Sequence, residues 1–346
     1  MRLMLNHDTR LSDLSHWVSA ELTSPAIKLT PLGGDAGFRR YFRFASASQY
    51  LAVDAPPATE DTIQFLRVAE LLTQFQVSTP SIRAADATLG FLLVEDLGDA
   101  LMHQKIDTQN ADELYQQANN LILRMQQIQP RPDWLPLYDI DFLLREMYLF
   151  VEWFIEKLLG YSLTPLEENL LINTFTDLTK SAIRQPQTFV HRDFHSRNLL
   201  ITPSGLATID FQGALWGPMT YDLVSLLRDC YLRWPQEKVH QWALDFYQKQ
   251  QATSTTRFSS DEFLKWFDWM GLQRHIKVLG IFARLHLRDN KHHYLRDLPL
   301  VIRYTLEVSS NYPELKAFAD WFKNKILPVA EKQDWYIDYK TAGESK

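Results

Sequence analysis

The sequence predicts an α+β protein with a bilobal architecture, a small strand-rich lobe followed by a larger, mostly helical one. Short strand-like runs fill the first hundred residues, and helical apolar spacing dominates from Thr108 onward. The length of 346 residues is enough for about two domains. We place the lobes at residues 1–97 and 98–346, with a link near residues 96–107.

The first lobe contains four predicted strands and one main helix. The strand-like runs are "AIKLTPL", "RRYFRFA", "YLAVDA" and "FLLVEDL", separated by Gly, Ser, Pro and Asp. Between the third and fourth runs, Ile63, Leu66 and Leu71 recur at helical spacing in "TEDTIQFLRVAELLTQF". The predicted order is therefore strands, helix, strands.

The second lobe is a series of helices interrupted by one hairpin. An apolar stripe from Leu114 to Ile128 ends at Pro130. The next segment, "DFLLREMYLFVEWFIEKLLG", has Asp141 as its expected cap and Gly160 as its stop. A capping box of Thr164 and Glu167 opens a third helix. The hairpin "LLITPSGLATIDF" follows, and helical spacing then resumes in "TYDLVSLLRDCYL", "QEKVHQWALDFYQKQQ", "DEFLKWFDWM" and "LQRHIKVLGIFARLHL".

Composition and charge exclude several classes of protein. A hydrophobic content of 46% is ample for sizeable cores. The net charge of −6 disfavours a nucleic-acid partner, because binding to phosphate backbones requires clustered Lys and Arg. The first residues lack the apolar run of a signal peptide, and no long uncharged apolar window suggests a membrane span. Together with the single Cys230, these features predict a cytoplasmic protein without a membrane partner.

The segment "HRDFHSRN", His191 to Asn198, is the strongest functional signal. Asn198 lies five residues after Asp193, and Asp210 lies twelve residues further on, at the end of the hairpin. The hairpin should return Asp210 to the loop, so two carboxylates and an amide oxygen converge. These are the hard oxygen ligands that Mg²⁺ prefers beside phosphates. The pattern is typical of phosphoryl transfer, with Asp193 accepting the proton of an attacking hydroxyl while Asn198 and Asp210 hold Mg²⁺. An "HRD" tripeptide alone would more often be a surface loop.

This pattern and the chain as a whole resemble the aminoglycoside phosphotransferase and choline kinase group of small-molecule kinases, which implies their bilobal, protein-kinase-like fold. Within that group, five phrases look like the anomeric sugar kinases of bacterial cell-wall recycling: "GGDAGFRRYFRF", "LAVDAPPATED", "VHRDFHSRNLL", "IDFQGALWGPMTYDLVSLLRDCYLRWP" and "GLQRHIKVLGIFARL". The resemblance implies transfer of the γ-phosphoryl group of ATP or GTP, with Mg²⁺, to the anomeric hydroxyl of N-acetylmuramate and N-acetylglucosamine. It also implies a nucleotidyltransferase that uses the sugar 1-phosphate.

The resemblance assigns roles to particular residues. Asp193 corresponds to the catalytic base, and Asn198 and Asp210 to the metal ligands. Asp222 corresponds to a helix aspartate that braces the loop through backbone hydrogen bonds, although a first-turn carboxylate favoured by the helix dipole is the alternative. The other residues with assigned roles are His191 and Arg192, which support the loop, and Val94, Glu95 and Leu97, which form the hinge that reads the purine or else an ordinary strand end.

The glycines between the first two strands are candidates for a phosphate-binding loop. Gly33, Gly34 and Gly37 occupy the position at which the family folds a loop over the nucleotide phosphates. Glycine permits positive φ angles and close approach of the backbone to a phosphate. The same glycines would also suit any tight turn.

The chain departs from the kinase pattern in its third strand. The run "LAVD" places Asp54 where a kinase carries the lysine that contacts the α- and β-phosphates. A carboxylate there would repel a nucleotide, so another cation is needed. We hypothesise that one of three arginines in the second strand supplies it; a solvated strand edge is the alternative. These are Arg39, Arg40 and Arg43.

The acceptor is the least determined part of the reaction. A carboxylate such as that of N-acetylmuramate favours arginine in its binding site, and four candidates are His195, Arg197, Arg228 and Arg233. These side chains could equally be partners in surface salt bridges. Three alternatives stay open at this point: an aminoglycoside kinase, a kinase of another small alcohol such as choline or homoserine, and a nucleotide-binding pseudokinase, which Asp54 keeps under consideration.

Overall fold

The computed structural model describes residues 8–25, 27–33, 38–45, 49–254 and 256–344. The chain divides into two compact units. The first runs to Ala100 and includes Leu200–Gln212, and the second comprises Leu101–Leu199 and the chain from Gly213. The mixed α+β architecture, with a sheet in one unit and mostly helices in the other, confirms the predicted fold class. The lobe boundary between residues 97 and 98 stays a prediction.

A five-stranded antiparallel sheet forms the first unit, in the order β1-β2-β3-β5-β4. Its elements are α1 (Thr9–Glu21), β1 (Thr30–Pro31), β2 (Arg40–Arg43), β3 (Tyr50–Asp54), α2 (Thr62–Gln74), β4 (Ile82–Asp86) and β5 (Phe91–Glu95). The register places Arg40 opposite Asp54 and Asp54 opposite Phe91. The sheet therefore holds Asp54 between an arginine and an aromatic residue.

Two elements of this unit, α1 and β4, were not predicted from the sequence, and the buried face of α2 differs from the predicted one. The helix α1 buries only Leu14 and Val18, a stripe too narrow to stand out, and β4 alternates between half-buried and exposed residues without an apolar run. The helix α2 exists as predicted, but Ile63 is exposed and the buried side chains include Phe65 and Val68.

The second unit consists mainly of helices packed around one large apolar core. These helices are α3 (Met102–Lys105), α4 (Ala111–Met125), α5 (Ile140–Leu149), α6 (Pro165–Arg184), α7 (Tyr221–Leu227), α8 (Gln236–Thr253), α9 (Ser260–Asp289), α10 (Leu298–Ser310), α11 (Lys316–Trp321) and α12 (Leu327–Ala330). The core contains Phe150, Phe154, Ile276 and Leu279. It surrounds α9, which runs through the middle of this unit.

Several local predictions for this unit can be compared with the structure. The capping box of Thr164 and Glu167 is present at the start of α6. The predicted cap Asp141 is wrong. The cap of α5 is Asp139, two residues earlier, and its carboxylate accepts the backbone N–H of Phe142. Beyond α5 the chain continues as a π-helix over Phe150–Leu158. This helix stops just before Gly160, which has φ +64°. The two segments expected on either side of Gly271 form one continuous helix, α9.

Four further strands carry the loop of interest. They are β6 (Gln187–Val190), β7 (Leu199–Thr202), β8 (Gly205–Thr208) and β9 (Leu215–Pro218), with β6 paired to β9 and β7 to β8. We expected the hairpin within the helical lobe, but residues Leu200–Gln212 belong to the first unit. The N–H of Ile201 donates to the carbonyl of Ala100, and the N–H of Thr208 to that of Ser78, both at 2.8 Å.

Over the described residues, no helix combines the length and the apolar character that crossing a bilayer requires.

Candidate active site

The loop "HRDFHSRN" begins where β6 ends, and a buried carboxylate holds its first residues. Asp222, in the first turn of α7, accepts the backbone N–H of His191 at 2.7 Å and that of Arg192 at 2.9 Å. These are the hydrogen bonds that the family resemblance implies for Asp222. Arg192 has φ +79°, an uncommon conformation for a residue with a side chain. The two bonds therefore hold a strained backbone in place directly before Asp193.

A second carboxylate, which the sequence analysis missed, anchors the other half of the loop. Asp229 accepts the backbone N–H of Ser196 at 3.0 Å and its hydroxyl at 2.5 Å. It lies seven residues after Asp222, just beyond α7, and this spacing is the only sequence signal that could have identified it. Two buried aspartates from one short segment thus fix both halves of the loop.

Asp193 lies half-buried between these anchors, close to positive charges. Burial disfavours its charged form, but the charges of Lys277 and Arg192 outweigh that effect and lower the pKa of Asp193 below its ordinary value. At Asp222, by contrast, burial outweighs the two backbone hydrogen bonds and raises its pKa to about 7. The loop therefore presents Asp193 as an ionised carboxylate, the form that a general base requires.

A buried network behind the loop positions Arg192. Glu146 of α5 accepts from Arg192 Nη2 at 2.5 Å and pairs with Lys277 Nζ of α9 at 3.0 Å. The hydroxyl of Tyr138 also donates to Glu146, and Lys277 donates to the hydroxyl of Tyr221 at 2.9 Å. Sequence reasoning did not find Glu146 or Lys277, since both lie inside apolar helical patterns far from the loop.

The two expected metal ligands, Asn198 and Asp210, belong to different units. In the second unit, Asn198 Nδ2 donates to the carbonyl of Asp193 at 2.9 Å, so the amide oxygen is the atom that it could offer to a cation. In the first unit, Asp210 has φ +63° and its carboxylate accepts from Gln212 Nε2 at 2.6 Å. Both side chains offer the hard oxygen atoms that suit Mg²⁺.

A metal site built from the protein alone is not present in the described part of the chain. There, no three or more His, Cys, Asp or Glu side chains are placed to hold a metal ion together. One amide and one carboxylate suit a magnesium ion that takes its other ligands from nucleotide phosphates and water. Each of the two side chains therefore offers an oxygen atom of the kind that suits a metal carried by a nucleotide.

The four candidate substrate residues fall into two pairs. Arg197 lies 3.5 Å above the ring of Tyr231, and the ring of His195 meets the same tyrosine edge-on at 5.5 Å. By contrast, Arg228 is buried and pairs with Asp268 at 2.5 Å, while Arg233 donates to both oxygens of Glu307. His195 and Arg197 of the loop thus lie around the ring of Tyr231, a residue beyond α7, whereas Arg228 and Arg233 have carboxylate partners elsewhere.

The candidate hinge residues lie at the end of β5 in the first unit. Val94 is buried, Leu97 is half-buried, and the Glu95 carboxylate accepts the N–H and the hydroxyl of Ser81. Among the described residues, no heavy atom lies within 4 Å of the point where a Cβ on Gly33 would stand. Gly34 and Gly37 lie outside the described residues.

The second-strand arginines differ in their partners, and Asp54 is fully enclosed. Arg10 of α1 and Arg40 each bind one carboxylate oxygen of Asp54 through two nitrogen atoms, at 2.5 and 3.0 Å. Arg43 instead binds both carboxylate oxygens of Asp96 and of Asp99, while Arg39 binds Glu60 through a single nitrogen at 3.0 Å. Two guanidinium groups thus neutralise Asp54, which removes its expected repulsion of a nucleotide.

Comparison with known proteins agrees with this architecture. Residues 28–259 match the sequence model described as the phosphotransferase enzyme family. A Pseudomonas putida protein named N-acetylmuramate/N-acetylglucosamine kinase is 38% identical over 324 residues, 90% of this chain and 95% of the relative. A Neisseria meningitidis protein of the same name is 38% identical over 310 residues, 87% and 92% of the two chains.

Solved structures with little sequence similarity share the fold. The ADP-bound aminoglycoside phosphotransferase APH(2'')-Ib aligns with a TM-score of 0.59 at 14% identity, over 86% of this chain and 98% of that one. The choline kinase LicA of Streptococcus pneumoniae aligns with the same score and identity, over 86% and 100%.

The fold and the braced loop therefore define a small-molecule phosphotransferase of the kinase-like class. With two thirds of its residues matched by the family model, the chain belongs to the phosphotransferase enzyme family.

Proposed function

We propose that this protein is a sugar kinase that transfers the γ-phosphoryl group of ATP or GTP to the anomeric hydroxyl of N-acetylmuramate and N-acetylglucosamine. The observation that carries the proposal is the 38% identity, over nearly the whole of both chains, with relatives that bear the name N-acetylmuramate/N-acetylglucosamine kinase. The alignment over nearly the full length of both chains and the shared phosphotransferase family support a common reaction.

In this mechanism Asp193 is the general base. As the acceptor oxygen forms its bond to the γ-phosphorus, its proton moves to the Asp193 carboxylate. The bond from the γ-phosphorus to the β–γ bridging oxygen breaks, and the nucleoside diphosphate leaves. A magnesium ion held by Asn198 and Asp210 would neutralise charge on the phosphates. The anchors Asp222 and Asp229 contribute by holding the loop in its reactive geometry before the substrate binds.

The other assignments are parts of the same proposal. Around Tyr231, Arg197 supplies a cation suited to a carboxylate and His195 a hydrogen-bonding ring for the sugar. Arg228 and Arg233 are weaker candidates, since both already bind carboxylates. The end of β5 would read the purine through Val94, Glu95 and Leu97. A cytoplasmic location and a nucleotidyltransferase that consumes the product stay predictions.

The test is phosphate transfer from Mg-ATP and Mg-GTP to a panel of N-acetylmuramate, N-acetylglucosamine, kanamycin and choline. We expect transfer to the two amino sugars at C1, assigned by ³¹P and ¹H NMR. Transfer only to kanamycin or choline would replace the proposal with one of the other kinases. Nucleotide binding without any transfer would favour a pseudokinase.

The role of Asp193 is tested separately with Asp193→Asn. Loss of a general base lowers kcat by about 10²- to 10⁴-fold. Nucleotide affinity, measured by calorimetry, should stay within about twofold, because the base faces the acceptor. A variant that keeps wild-type turnover would show that another group takes the proton.

A further inference from the structure

The second strand carries three arginines, and the carboxylates around two of them leave little for a ligand. Arg40 donates to Asp54 and to Asp8 of the first unit. Arg43 donates to Asp96 and Asp99 with three of its nitrogen atoms. Bidentate pairs of this kind are among the strongest that a guanidinium forms. Releasing either arginine for a phosphate would break such a pair.

Arg39 has different surroundings. It is 8% exposed, and one terminal nitrogen donates to Glu60 at 3.0 Å. Its guanidinium lies 4.8 Å from the ring centre of Phe65 in α2. Within the described residues, its buried Nε–H has no hydrogen-bond partner. A buried guanidinium with an unused donor is costly unless another group binds it, and an anionic ligand is the natural partner.

The surroundings of Arg39 connect it to the candidate metal ligand of the same unit. Phe65 stacks on Phe211 at 4.8 Å, and Phe211 directly follows Asp210. Tyr41 lies near both charges: burial raises its pKa, the charge of Arg39 and a hydrogen bond with its side chain oppose the rise, and the Asp210 carboxylate adds to it. Arg39 and Asp210 therefore belong to one cluster, within the electrostatic reach of a single tyrosine.

We propose that Arg39, held in place by Glu60, is the cation that contacts the α- and β-phosphates of the nucleotide, in place of the third-strand lysine. The inference rests on the proposed kinase function. Glu60 directly precedes the cap of α2, the helix that follows the third strand. The pair of Arg39 and Glu60 is therefore comparable with the kinase ion pair of a lysine and a helix glutamate, although Glu60 lies outside the helix. Asp54 is then a structural residue that fastens α1 to the sheet.

Equilibrium binding of adenosine, ADP and ATP, without sugar acceptor, tests the proposal independently of turnover. Arg39→Ala should weaken ATP and ADP binding by about 10- to 100-fold, as expected for loss of a charged hydrogen bond. Adenosine affinity should change by less than about twofold. Arg39→Lys should recover part of the loss, because it keeps the charge but not the fork of donors.

The matched control is Arg43→Ala, in the same strand, which should change ATP affinity by less than about twofold. If Arg39→Ala does not fold, Arg39→Gln carries the test: it removes the positive charge but keeps a hydrogen-bonding side chain, so ATP binding should weaken while adenosine binding does not. Equal weakening of adenosine and ATP, or no change in either, would overturn the proposal. If the wild-type protein binds ATP through Arg39 but phosphorylates no acceptor, only the proposed function fails.

Discussion

Removal of the charge on Glu146 is the sharpest test of how the loop from His191 to Asn198 is held. Glu146 is buried and receives Arg192, Lys277 and Tyr138. In Glu146→Gln, the ammonium of Lys277, whose side chain is 6% exposed, loses its opposite charge inside the protein. Breaking a buried ion pair in this way costs about 3–5 kcal/mol of unfolding free energy.

The size of the interaction follows from a double-mutant cycle with Lys277→Met. The single lysine variant leaves Glu146 paired with Arg192, so it should cost less than Glu146→Gln. In the double variant neither buried charge is stranded by the loss of the other. The sum of the two single losses of unfolding free energy should therefore exceed the loss in the double variant by about 0.5–3 kcal/mol.

The control is Lys265→Met, in the same helix as Lys277. Lys265 pairs with Glu314 at 2.7 Å, but the two side chains are 44% and 48% exposed, and such pairs contribute about 0–1 kcal/mol. Urea unfolding followed by circular dichroism gives the free energies. Strict additivity, or a Glu146→Gln cost no larger than that of Lys265→Met, would refute the reasoning. If Glu146→Gln alone does not fold while the double variant does, the coupling is demonstrated directly.

Two further predictions follow from buried contacts. Burial raises the pKa of Asp222 to about 7, so its stabilising contribution is complete below the unfolded-state pKa and is lost as the pH rises through 7; between about pH 5.5 and about pH 8 the wild type should lose about 2 kcal/mol that Asp222→Asn does not. Equal pH dependence of the two proteins in urea unfolding would contradict this. At Gly280, an added Cβ would lie 2.3 Å from the carbonyl carbon of Leu149 and 2.4 Å from the nitrogen of Phe150, so Gly280→Ala should destabilise by about 1–3 kcal/mol despite better helix propensity. A raised thermal midpoint would show that the two helices can separate without cost.

Short-range patterns in the sequence were sufficient for much of the fold and for the centre of the site. The capping box of Thr164 and Glu167 was recognisable because both partners lie within one helical turn. The loop from His191 to Asn198 was recognisable for the same reason, since its acidic, basic and amide residues occupy eight consecutive positions. The helix α1 was not predicted, because its two buried residues form too short an apolar pattern. They are buried only because the helix packs against the sheet.

The supports of the site depend on residues that are remote along the chain. Glu146 and Arg192 are 46 residues apart, and Lys277 and Tyr221 are 56 apart, so no local spacing marks them as partners. From the sequence, Asp54 was expected to repel a nucleotide. In the structure its charge is neutralised by Arg10 of α1 and Arg40 of β2. Periodicity and capping are properties of a few neighbouring residues, so the linear order of the chain contains them. Charge pairing in a core is a property of burial, and burial exists only once distant segments have packed together.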